Sequence, residues 1–230
     1  MPDGNPEDSI VKDQNFIKSI LHESSGGEGY LTVDISNRKQ SGLDVAAFCA
    51  LKSMRNDSFI ELWKKKKGDG RPKPINFWTF KASDSEKRLI LENGRFYLLR
   101  SKERITLPAG IAVYAKAMDE TLGEMRIHYA GFVHPHFGME RKDHKIGTPL
   151  IFEVRAHNVN VTLGDGERLA KLVFYRMSKN AKIKISEDQK QIDEKRDYNE
   201  QELKLSNHFS AWPPKLEMNK EGKLIEAKRN

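Results

Sequence analysis

The run Pro149-Leu150-Ile151-Phe152-Glu153-Val154-Arg155 sets a carboxylate and a guanidinium among apolar residues. Read as a strand, it turns Leu150, Phe152 and Val154 to one side and Ile151, Glu153 and Arg155 to the other. With four apolar neighbours Glu153 is expected to be half-buried, and burial is one means by which a carboxylate is tuned for general-base work. The commoner arrangement for such an acid is a solvent-facing pair with a Lys or Arg across the sheet. Arg155, two residues on, could bind a phosphate or simply neutralise Glu153. A second stretch, His128 to Gly138 (HYAGFVHPHFG), is dense in histidine, glycine and aromatic residues. Gly131 and Gly138 would let backbone approach a planar ligand closely. Four imidazoles, His128, His134, His136 and His144, form a conceivable metal set. His-Pro-His is poor spacing for two ligands on one regular element, so a turn is the better reading.

The elements that must carry these groups are short. The chain has 230 residues, 37% hydrophobic and 32% charged, with a formal charge of +7 and mean hydropathy −0.69. A core over part of the length with solvated segments elsewhere is expected. No apolar run nears the length of a membrane span, and the N-terminus lacks a basic region followed by an apolar stretch, so a cytoplasmic protein is expected. One cysteine, Cys49, excludes a disulfide framework and a Cys-based zinc site within the chain. Residues 1–29 read as a leader with a short amphipathic helix over 9–22. Residues 30–212 read as a β domain, interrupted by a Lys/Gly/Pro linker at 64–74 and a charged excursion at 178–197, and 213–230 as a solvated polar tail. From Ile75 onward, alternating segments recur about every ten residues with turn signals between them, which indicates an all-β sandwich or barrel. Strands are expected at 30–35, 45–54, 89–91, 96–100, 104–107, 111–117, 124–132, 149–157, 158–163 and 169–177. Asn93-Gly94 signals a hairpin. No P-loop and no Gly-x-Gly-x-x-Gly is present, and the His-x-Glu with Cys-x-x-Cys pattern of zinc deaminases is absent.

Several longer stretches resemble one family. FYLLRS (96–101), GEMRIHYAGF (123–132), FEVR (152–155), LAKLVFYRM (169–177) and YNEQELKLSNHF (198–209), with YLTVDI (30–35) and Phe77-Trp78 upstream, resemble the dCTP deaminase branch of the dUTPase-like superfamily. The resemblance is closest to the C-terminal half of long, two-repeat bacterial enzymes and covers about residues 30–212. It implies a mostly β fold, a dUTPase-like antiparallel barrel or distorted jelly roll with short peripheral helices. It also implies hydrolytic, metal-independent deamination of dCTP to dUTP, with Glu153 at the position of the glutamate that takes a proton from water attacking C4. Family trimers form each site at a subunit boundary, and a C-terminal segment closes over the triphosphate; Tyr198, Gln201, Lys204 and Ser206 match that segment. Arg126, Tyr129, Ala130 and Arg155 join them as substrate-binding candidates. Magnesium would accompany the triphosphate, and no zinc is implied.

The departures narrow this reading. Family members carry a Ser-Ser pair with an arginine before the Ala-Gly segment; here the stretch is acidic, Asp119-Glu120-Thr121-Leu122-Gly123-Glu124. Asp-Pro-Gly-Phe-Gly becomes His134-Pro135-His136-Phe137-Gly138. In two-repeat proteins the serine pair sits in the N-terminal half, so a homotrimer, a partner chain supplying that half, and a split or shortened gene are all compatible. The expected function is therefore dCTP deamination, with a catalytically silent nucleotide-binding or scaffold subunit as the alternative. Dephosphorylation of dUTP on the same scaffold is a further option without an Asp at 134 to support it. A nucleic-acid-binding barrel using Lys64–Lys67 comes last, because the basic residues cluster in a linker instead of alternating with aromatics. Tyr129 and Phe132 could flank a base, with core packing the commoner role for either.

Overall fold

The computed structural model describes residues 9–22, 29–52, 70–118, 125–127, 131–138, 146–181, 203–220 and 222–227. The expected linker run Lys64–Lys67, most of the charged excursion, and Asp119–Glu124 lie outside them. One helix, α1 (Gln14–Ile20), is capped by Asp13, whose carboxylate accepts from the Asn15 and Phe16 amides. Its buried residues Ile17 and Ile20 face the core.

Strands supply the rest: β1 (Leu21–His22), β2 (Tyr30–Asp34), β3 (Arg38–Gln40), β4 (Leu43–Val45), β5 (Ala47–Ala50), β6 (Trp78–Lys81), β7 (Arg88–Leu91) and β8 (Phe96–Ile105). They continue as β9 (Ile111–Ala117), β10 (Met125–Ile127), β11 (Phe132–Val133), β12 (Thr148–Ala156), β13 (Val161–Gly164), β14 (Arg168–Arg176), β15 (Leu216–Met218) and β16 (Leu224–Glu226). The main sheet runs β10-β12-β8-β2-β14-β9-β11, with β1 and β5 also on β8 and β6 on β5. All these pairings are antiparallel, as the alternating sequence pattern implied. β2 holds the curl together, pairing through Val33 and Asp34 with β8 and through Tyr30–Thr32 with β14. Inside lie Leu31, Val33, Tyr97, Leu99, Ile105, Phe152, Val154, Leu172 and Phe174.

Two expected strands, 96–100 and 104–107, are one ten-residue strand, β8. The charged residues that looked like a break are satisfied in place. Glu103, 1% exposed, accepts from the Thr32 amide (2.6 Å) and hydroxyl (2.7 Å), and Arg104 donates to the Ile146 and Gly147 carbonyls. The Asn93-Gly94 turn does form, with Gly94 at φ +70°, but it closes no hairpin. β7 pairs with β13, while the Gly94 amide bonds to the Ala156 carbonyl and the Asn93 amide to Asn160. The residues read as a solvated polar tail form a β15–β16 hairpin whose Leu216 and Leu224 are buried. Hydrogen bonds from the Leu216 amide to the Ser41 carbonyl and from the Ser41 hydroxyl to Pro213 dock it.

The turn reading of 134–138 fits the structure. His136 sits at φ +70°, its amide bonds to the Leu107 carbonyl, and its ring Nε2 lies 3.1 Å from the Ala181 carbonyl. Phe137 is buried and returns a carbonyl to the Leu107 amide. Gly138 is required by the protein's own backbone and not by a ligand: at φ +72°, an added Cβ would lie 2.0 Å from the Ile105 carbonyl oxygen and 2.9 Å from the Thr148 nitrogen. At Gly131 a Cβ would meet nothing within 4 Å. Gly138→Ala is expected to cost about 3 kcal/mol or more, from the left-handed backbone and the backbone collision together. A thermal midpoint lowered by about 6 °C or more would register it, and an unchanged midpoint would refute the constraint.

Candidate functional site

The functional face is the outer surface of the sheet across β6, β5, β8 and β12. Register builds it in rows. Phe80 stands opposite Phe48, Phe48 opposite Leu98, and Leu98 opposite Glu153. Cross-strand partners share a face, so the row runs from an aromatic end to a carboxylate. Trp212 closes the aromatic end, with ring centroids 4.6 Å from Phe80 and 5.3 Å from Phe48. On the next row Arg155 stands opposite Phe96, with its guanidinium carbon 5.9 Å from the ring centroid. Ile151, on the other side of Glu153, packs into the same outer cluster.

The two faces of β12 separate as the alternation required. Phe152 and Val154 belong to the inner core, and Ile151 to the outer cluster. The expected half-burial of Glu153 is not found: in the single chain it is exposed, on the outer and not the inner side. Its apolar neighbours in sequence point away from it, and the cover that would shut it in from solvent is absent from this side of the row. Neither the cross-strand salt bridge nor neutralisation by Arg155 occurs; Glu153 has no ion pair or hydrogen bond among the described residues.

The C-terminal segment reaches this face. Leu203 and Leu205 pack against the cluster that contains Leu98, Phe96 and Ile151, and Phe209 is buried beside Trp78 and Phe77. Lys204 and Ser206 alternate with the leucines and are exposed. The Ser210 amide bonds to the Pro72 carbonyl, which ties the segment to the strand entering β6. Glu153, Arg155, Lys204 and Ser206 are thus gathered on one side of the barrel, and Arg126 enters through its register with Arg155. Tyr129, Ala130, Tyr198, Gln201, His128 and His144 lie outside the described residues. Phe132 is no core residue; it is 56% exposed, on the edge strand β11 opposite Tyr114. Sequence reasoning missed the apolar surround, Phe48, Phe80, Leu98 and Trp212. The outward positions of FYLLRS, Phe96 and Leu98, were the signal available.

A ten-stranded antiparallel sheet curled around its core, with a charged face covered in part by the chain's own C-terminal segment, defines a dUTPase-like β-barrel protein. Residues 7–209 match the family model "2'-deoxycytidine 5'-triphosphate deaminase (DCD), C-terminal domain". The chain belongs to that family. Among solved structures it is similar to the 2'-deoxycytidine 5'-triphosphate deaminase from Agrobacterium tumefaciens, at 23% identity and a TM-score of 0.61 over 76% of this chain and 50% of that one. It therefore spans about half the length of that enzyme. A lesser similarity links it to a point mutant of the dUTPase from phage phi11 of S. aureus, at 11% identity and a TM-score of 0.32 over 45% of this chain and 80% of that one. No curated protein sequence matches the chain. Among the described residues no helix is long and apolar enough to cross a membrane.

Proposed function

We propose that this protein binds dCTP on the outer face of β12 and deaminates it to dUTP and ammonia, with Glu153 as the base. The observation that carries the reading is the convergence of three things on one face: an unpaired carboxylate, the guanidinium of Arg155 two residues away, and the Leu203–Leu205 segment laid over the neighbouring strands. In the proposed reaction the Glu153 carboxylate accepts a proton from water as the water oxygen bonds to C4 of cytosine. The proton passes to the exocyclic amino group, the C–N bond breaks, and ammonia leaves with the carbonyl of uracil behind it. Exposure of Glu153 in the single chain fits a site completed at a boundary with a second copy, where a neighbouring surface would dehydrate the carboxylate. Tyr198, Gln201, Lys204 and Ser206 are assigned to the triphosphate.

Among the described residues no group of three His, Cys, Asp or Glu side chains is placed to hold a metal. The magnesium in this reading would arrive on the triphosphate, whose oxygens and water suit it, without a protein carboxylate cage.

A silent nucleotide-binding subunit is the second reading, favoured by the acidic 119–124 stretch where the family carries serines and arginine. Incubation with dCTP and magnesium, scored for ammonia and dUTP, decides between them. Equimolar ammonia and dUTP supports the enzyme, whereas saturable dCTP binding without either product selects the silent subunit.

A further inference from the structure

Arg155 is the unexplained cation of this face. Its Nε is shut off from solvent and has no hydrogen-bond partner, although the residue as a whole is only half-buried. Most buried polar atoms in a folded protein are satisfied, so an orphaned guanidinium N–H indicates an acceptor that the chain itself does not supply. Glu153 is the nearest acid on that face of β12, about 7 Å away along the strand, and makes no ion pair with it. The register adds a second fact: β10 places Arg126 directly opposite Arg155. Like charges directly opposed across a sheet destabilise it. Two arginines at one register position, one of them carrying an unmet donor, make sense where an anion sits between or above them. Phe96, beneath the Arg155 guanidinium, fixes its plane and leaves its edge available to oxygens.

We propose that the Arg126–Arg155 pair is the seat for a phosphoryl group of the ligand, which rests on the nucleotide reading above for the identity of that ligand. The seat lies on the same face of the sheet as Glu153, so one molecule spans both, with its phosphate on the arginines and its base at the acid. Selection for a phosphorylated nucleoside over the bare nucleoside then resides in β10 and β12, and not only in the C-terminal segment.

The test is calorimetric titration of the full chain with inorganic triphosphate, deoxycytidine and dCTP. Arg155→Gln is expected to weaken triphosphate and dCTP binding about tenfold or more and to leave deoxycytidine binding unchanged. Arg155→Lys, which keeps the charge, should recover part of the loss, and the dependence of affinity on salt should flatten in the glutamine variant. Arg126→Gln should reproduce the loss, and it carries the test if Arg155→Gln fails to fold. Wild-type affinity for triphosphate in the glutamine variants, or no triphosphate binding by the wild type, overturns the seat. The two readings fail separately. Triphosphate bound through Arg155 with no preference for dCTP removes the nucleotide reading and keeps the seat, while undiminished dCTP binding and turnover in Arg155→Gln does the reverse.

Discussion

Asp34→Ala is expected to destabilise the fold by about 3–5 kcal/mol, the range for removing one partner of a buried ion pair. Arg100 is 3% exposed, and its Nε donates to Asp34 Oδ2 at 2.8 Å. Arg38 reaches the same oxygen at 2.9 Å, and the Ser36 amide and hydroxyl donate to the other. Deleting the carboxylate leaves the Arg100 guanidinium buried with the Ser36 carbonyl, 2.8 Å from Nη2, as its closest remaining acceptor. The pair also clamps β2 to β8, because Asp34 and Arg100 are register partners there. Burial alone would raise the Asp34 pKa, but the hydrogen bonds from Arg100 and Ser36 and the charge of Arg100 outweigh it and hold it below the ordinary value. The unfolded chain therefore binds the proton more readily. The stabilisation is fully present above the unfolded carboxylate range and is lost as pH falls through the folded value. Denaturant melts of the wild type should weaken below about pH 5, and Asp34→Asn should blunt that decline. Wild-type stability in Asp34→Ala would show that the network contributes nothing.

The second large effect falls on chemistry. Glu153→Gln keeps the size of the side chain but removes its capacity to accept a proton from water, and a positioned general base contributes about 10²–10⁴ in rate. The expected result is a loss of that order in kcat for ammonia release. Since the residue is exposed and unpaired, folding should be untouched and dCTP affinity changed little. Turnover that survives the substitution would assign the proton transfer to another group. A variant with altered stability would show that Glu153 has a structural partner beyond the single chain.

Much of this was legible in the sequence because strands announce themselves by a two-residue period. At 149–155 that period correctly separated Phe152 and Val154 from Ile151, Glu153 and Arg155. It could not say which of the two faces would be covered, because the cover comes from Leu203, Leu205 and Trp212, far along the chain. Glu153 was therefore expected to be half-buried and is exposed. Local signals misled in the same way elsewhere. Asn93-Gly94 makes its turn, yet β7 finds its partner in β13, since pairing is settled by tertiary packing and the turn only reverses the chain. The charged stretch Arg100–Arg104 read as an interruption because its compensating groups, Asp34, Thr32 and the Ile146 and Gly147 carbonyls, are remote in sequence. The tail read as solvated because only Leu216 and Leu224 anchor it, too few for a compositional signal. What the family resemblance contributed was the identity of the fold, which no single strand pattern could have supplied.

The outer side of β12 is assigned as the ligand face, with the pyrimidine at Glu153 and the phosphates at Arg155. A crystal structure of Glu153→Gln grown with dCTP and magnesium tests that assignment most directly. The expected result is cytosine C4 within about 4 Å of the residue 153 side chain, near-attack range for a bridging water, and a phosphate oxygen on the Arg155 guanidinium. A nucleotide bound on another face, such as the groove between α1 and β14, would contradict it.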